Sequence, residues 1–178
     1  MKSKLWTRDF SLITVTTVLS AIGGEAIMFP LSLLVFDETG SPLLSAIMLI
    51  TGFLPDIVLA VLVAPFVEKW NKKTLIVVLD SLLLLLYVGI GVFLHFASFN
   101  YAVMLVFSLV TSTISIIYNL AYQSWLPDII PVGQEQKGNA VGTTIYPFVT
   151  MAMAPLSAWA YEQFGMARIF FFVAALLL

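Results

Sequence analysis

Apolar stretches separated by short polar connectors run the whole length of the chain, at about 10–36, 43–67, 74–95, 101–123, 139–161 and 168–178. Each of the first five exceeds the ~20 residues that a helix needs to cross the ~30 Å hydrocarbon layer. The sixth reaches only about 16 Å at ~1.5 Å per residue. The pattern predicts an all-α membrane protein in a single domain, with five complete spans and an unfinished sixth. The first stretch outruns the 7–15 apolar residues of a cleaved signal and is followed by more of its kind, so it reads as a span.

The connectors carry the turn chemistry. Asp37-Glu38-Thr39-Gly40-Ser41-Pro42 is an acidic turn whose proline opens the second helix, and 97–100 is a four-residue turn. Between 127 and 137, two prolines and a glycine are expected to forbid a continuous helix. Glu68-Lys69-Trp70-Asn71-Lys72-Lys73, between the second and third spans, is the densest charge cluster in the chain. So short a connector makes its flanking helices an antiparallel pair. Its lysines stand at the positive end of a helix dipole, where anionic lipid headgroups are the expected compensation.

Composition agrees with a lipid environment: 61% of residues are hydrophobic and 10% charged, against about 25% charged in soluble domains. Lys2, Lys4, Arg8, Lys69, Lys72, Lys73 and Lys137 fall on one side of the alternating spans and only Arg168 on the other. The expected arrangement is a multi-pass protein of the cell membrane with a cytoplasmic amino terminus. No basic patch beyond the loops suits nucleic acid. The chain has no Cys and one His, and lacks nucleophile-elbow, zinc-protease and phosphate-loop motifs. An enzyme, a metal centre and a bound cofactor are therefore not expected.

Two spans carry polar residues at helical period. Thr14, Thr17, Ala21, Glu25, Met28 and Ser32 share one face of the first; Ser108, Thr111, Ser112, Ser115, Tyr118, Asn119 and Tyr122 share one face of the fourth. Small and hydroxyl residues also serve close helix packing. A stripe of this length that includes a carboxylate points instead to a water-filled path. Glu25 lies roughly 24 Å along the helix from Asp9, and Asp56 roughly 18 Å from Glu68, which puts both near mid-bilayer. An ionised carboxylate there costs on the order of 3 kcal/mol, and desolvation favours its neutral form until water or a cation arrives. Asp56, next to Pro55, is equally suited to a structural hydrogen bond. Asp80 is expected to pair with a cytoplasmic lysine and not to take part in transport, His95 to sit at the interface, and the four tryptophans to form an aromatic belt.

These features together resemble the amino-terminal half of a major facilitator superfamily transporter, and more narrowly the macrolide-efflux-like drug:proton antiporters. The resemblance covers essentially the whole chain. The family signature Gly-x-Leu-x-Asp-Arg-x-Gly-Arg-Arg/Lys aligns with Ala64-Pro65-Phe66-Val67-Glu68-Lys69-Trp70-Asn71-Lys72-Lys73, matching in charge type but not at either glycine. Further matches are Trp6-Thr7-Arg8-Asp9-Phe10, Gly23-Gly24-Glu25, Thr39-Gly40-Ser41 and Leu126-Pro127-Asp128-Ile129-Ile130-Pro131. The fifth-helix antiporter motif survives only as Ala154-Pro155-Leu156-Ser157-Ala158-Trp159, and the arginine many members carry in helix four is absent.

The resemblance implies a six-helix half built as a 3+3 inverted repeat, a carboxy-terminal half as partner, and proton-driven efflux of amphipathic, often cationic drugs. Protons or substrate would bind at Glu25 and Asp56, with contacts from Met28, Phe29, Phe53, Tyr118, Asn119 and Tyr122. Glu68, Lys69, Lys72 and Lys73 would form the cytoplasmic gating motif. A nutrient or other solute permease of the same fold, and a truncated membrane module without transport of its own, are the alternatives.

Overall fold

The structure, a computed structural model, describes residues 5–67 and 69–177, with the backbone alone for Asp56 and Val61. The expectations placed on Lys2, Lys4, Glu68 and the Asp56 side chain lie outside the described residues. Among the described residues six helices follow one another: α1 (Arg8–Thr39), α2 (Pro42–Val67), α3 (Lys72–Phe96), α4 (Tyr101–Ile129), α5 (Glu135–Phe164) and α6 (Met166–Leu176). Helix is the backbone solution that lipid rewards, because it satisfies each N–H and C=O within one segment.

Local chemistry sets the helix ends. Thr7, Asn71 and Asn100 cap α1, α3 and α4, their side-chain oxygens accepting from the N–H groups of Phe10, Thr74 and Val103. Asn71 thus does capping work at a position where the family pattern has glycine. Gly40, at φ 64°, closes α1 by donating its N–H to Phe36 O at 2.8 Å. Asp37, Glu38 and Thr39, expected in the turn, are therefore the last turn of α1. α2 opens at Pro42 as expected.

The interval 127–137 is more helical than expected. α4 runs through Pro127 to Ile129, and α5 already begins at Glu135. Proline removes one intrahelical bond, and with the helix ending at Ile129 that loss falls in its last turn, where few bonds depend on it. The actual break is 130–134, where Gly133 takes φ 83°. Its N–H donates to Glu135 Oε1 at 2.8 Å. This bond, with one from the Glu135 backbone N–H, lowers the Glu135 carboxyl below its ordinary value of 4.5.

Among the described residues four helices, α1 to α4, are long and apolar enough to cross a membrane, which gives the chain the character of a membrane protein. α5 is long enough but less apolar, because Asn139, Thr143, Thr144, Tyr146 and Thr150 interrupt it. α6 is apolar and spans 11 residues. The large side chains left bare on the outside, such as Ile57, Phe66, Leu85 and Met151, are those a lipid surface would cover.

The helices pair in a regular way. α1 packs along α5, and α2 along α4 to the same extent; α3 packs on α6; α3 meets α4, and α1 meets α6. α1 with α2 and α4 with α5 make further contacts. Exchanging α1 with α4, α2 with α5 and α3 with α6 maps these pairings onto one another, apart from a small α5–α6 contact. The core sits among α1, α3, α4 and α6. There Tyr87, Phe107 and Phe170 form a ring cluster with centroids 5.3 to 6.2 Å apart. Gly91 lets α3 approach α6, since a Cβ there would stand 3.2 Å from Phe170 Cβ.

Candidate functional site

Between α1, α2 and α4 lies a cavity of about 230 Å³. α1 contributes Ser20, Gly24, Glu25 and Met28; α2 contributes Gly52 and Phe53; α4 contributes Ser108, Thr111, Ser112, Ser115, Tyr118 and Asn119. Tyr87 of α3 and Tyr146 of α5 complete the wall. Six of the seven residues in the α4 polar stripe therefore face one space. The α1 stripe divides: Ala21, Glu25 and Met28 line the cavity, while Thr14 and Ser32 are buried and donate to their own helix at Phe10 O and Phe29 O.

The wall is rich in acceptors. Thr111 and Ser112 donate their hydroxyl protons to carbonyls of α4 itself, Phe107 O and Ser108 O. Their remaining lone pairs are left to accept. Glu25 takes a hydrogen bond of 2.7 Å from Thr150 Oγ1 on α5 to its Oε1. Its Oε2 is buried with no donor among the described residues. A buried carboxylate oxygen without a donor is costly, and a proton on it or a cationic group beside it removes the deficit.

A second cavity of about 330 Å³ shares Asn119 and Tyr146 with the first and continues between α4 and α5. Its lining adds Tyr122, Gln123, Asn139 and Thr143, with Gln123 Nε2 donating to Asn119 Oδ1 at 2.8 Å. It leads towards the end of the bundle that holds the α4–α5 connector. Gly142 makes the approach possible, because a Cβ there would collide with Leu126.

Of the residues singled out in the sequence, Glu25, Met28, Phe53, Tyr118 and Asn119 meet in the first cavity and Tyr122 in the second. Phe29 is half-buried on α1 and lines neither. In the charged turn, Lys69 is exposed, and Lys72 departs from the expected headgroup role. Its Nζ stands 3.0 Å from Asp128 Oδ2, tying the start of α3 to the end of α4.

Asp80 corrects another expectation. Among the described residues no lysine pairs with it; it accepts from Ser20 Oγ at 3.3 Å, on α1. A side chain of α1 thus reaches α3 at this level, which the order of elements along the chain does not disclose. Thr150 and Tyr146 were also missed, although the signal was present. Asn139, Gly142, Thr143, Tyr146 and Thr150 recur at steps of three and four along α5, a third polar stripe. No family model, no curated protein and no solved structure matches the chain.

Proposed function

We propose that the chain is the amino-terminal six-helix half of a major facilitator-type secondary transporter of the cell membrane, with its amino terminus in the cytoplasm, exporting amphipathic cationic compounds in exchange for protons. The observation that carries the reading is the buried, donorless Oε2 of Glu25 beside a cavity walled by hydroxyl lone pairs. Such a wall favours a proton or a ligand's positive end. Met28 and Phe53 supply the apolar and cation-π contacts for the remainder of the ligand.

The helix pairing supports the fold part of the reading. A pattern preserved on exchanging the first three helices with the last three is what a 3+3 repeat produces. At about 230 Å³ the first cavity is small beside the ~300–1,000 Å³ of drug sites, so a drug-sized ligand needs the adjoining space or a facing half. Each proton entering the cell contributes about 2.3 kcal/mol per 100 mV of membrane potential.

The test is binding and extrusion of a fluorescent lipophilic cation by the full-length transporter, with and without an uncoupler. Glu25→Gln is expected to lower dye affinity roughly tenfold and to abolish the proton dependence, a difference of about 1.4 kcal/mol. Unchanged affinity and unchanged coupling would sink the assignment. The amide- and hydroxyl-lined second cavity favours a second reading, a permease for neutral polar solutes. That reading predicts dye-independent uptake that Asn139→Ala impairs and Glu25→Gln does not.

A further inference from the structure

Asp80 is a membrane-embedded carboxylate that the transport reading leaves without a role. It lies eight residues into α3, about 12 Å from the helix start. Ser20 Oγ donates to it, and Ser20 also lines the cavity that holds Glu25. Beside them stand Thr17, fully buried, and Tyr118, 3% exposed. The Tyr118 hydroxyl faces both Ser20 and Thr17, yet neither Tyr118 nor Thr17 closes a hydrogen bond. α1 and α4 thus bring three hydroxyls to the surroundings of the α3 carboxylate, with two O–H donors unspent.

The one bond that is closed has a direction. Ser20 spends its proton on Asp80, so its lone pairs are free to accept from Tyr118, and Tyr118 opens on the cavity. The groups on which Asp80 acts electrostatically are Tyr87 on its own helix, Tyr118 on α4 and Tyr146 on α5. α1 presents hydroxyls here, and the sole charge of α6 is Arg168 near its other end. Among the described residues no cation offsets Asp80, and no cluster of acidic or histidine side chains could hold a metal ion.

We propose that Asp80 is a second proton acceptor, loaded from the cavity through Tyr118 and Ser20. The inference rests on Glu25 being the proton-carrying group of that cavity. Neutral Glu25 gives its proton to a cavity water, which protonates the Tyr118 oxygen as Tyr118 passes its own proton to the Ser20 oxygen. Ser20 in turn gives its proton to the Asp80 carboxylate. Glu25 ends ionised, Asp80 ends neutral, and each hydroxyl has taken one proton and given one. In the proposed orientation the proton moves towards the cytoplasm, the direction that drives export.

The chain in lipid vesicles, without drug, is followed by time-resolved infrared spectroscopy after a photoreleased proton jump. Glu25→Gln and Asp80→Asn each identify one carboxyl band by deleting it. Tyr118→Phe and Ser20→Ala are expected to slow the rise of the Asp80 band roughly tenfold or more while sparing the Glu25 band. Thr113→Val, at a half-buried α4 position that lines neither cavity, is expected to leave both rates unchanged. Unaltered Asp80 kinetics in both hydroxyl variants would overturn the proposal. So would ionisation of Asp80 by added sodium at constant pH, which marks a cation site instead. If Asp80→Asn does not insert, the hydroxyl variants still decide, because the Asp80 band remains in them. Dye binding is measured separately, so failure of the export reading and failure of this relay are distinguishable.

Discussion

Tyr161 on α5 donates a 2.7 Å hydrogen bond to Asp37 on α1, and Thr150 on α5 makes one of the same length to Glu25 on α1. The two bonds are twelve residues apart on α1 and eleven on α5, about 18 and 16 Å of helix. Two helices joined in the same order and at nearly equal spacing run parallel and in register. α1 and α5 are separated by three intervening helices, so the long connection that makes this pairing possible is the rest of the bundle itself.

Thr150→Val removes the one donor that Glu25 has among the described residues. A half-buried carboxylate then loses its partner while keeping much of its desolvation, and the expected loss is about 1 kcal/mol. Thermal unfolding in detergent measures it. Thr150→Ser, which retains the donor, is expected to restore most of the loss.

Gly89 and Gly91 sit two residues apart on α3 and are expected to respond oppositely. A Cβ at Gly89 meets nothing within 4 Å, so Gly89→Ala is expected to be neutral or to stabilise by up to about 1 kcal/mol. A side chain at Gly91 presses on Phe170 Cβ and the Phe171 ring, which cannot give way without moving α6. Gly91→Leu is expected to cost about 1–3 kcal/mol, read by the same unfolding assay.

The Lys72–Asp128 pair is largely exposed on its acidic side, at 62%. A double-mutant cycle with Lys72→Ala and Asp128→Ala is expected to give a coupling of about 0–1 kcal/mol that shrinks as salt is raised. A coupling that survives high salt would contradict this.

Glu135 gives the connector a pH signature. Its carboxyl is held below 4.5 by the N–H of Gly133 and its own N–H, so it binds its proton less readily folded than unfolded. The stabilisation it offers the turn is present above the unfolded value and is lost as pH falls through the lower, folded one. The Gly133 amide resonance is expected to titrate with a midpoint below 4.5, and Glu135→Gln to abolish that titration.

What could be read from the chain alone was what one helix at a time can carry. Apolar length marked the segments that must satisfy their backbone internally, Pro42 marked a start, and helical period put Ser108 through Asn119 on one face of α4. The α5 stripe from Asn139 to Thr150 was equally legible. Which faces meet was not, because the rotation and register of one helix against another depend on all their side chains at once. So Asp80 met Ser20 sixty residues away instead of a cytoplasmic lysine, Phe53 faced the cavity while Phe29 did not, and Lys72 found Asp128. Periodicity locates a polar stripe on its own helix; only packing in three dimensions decides what lies opposite it.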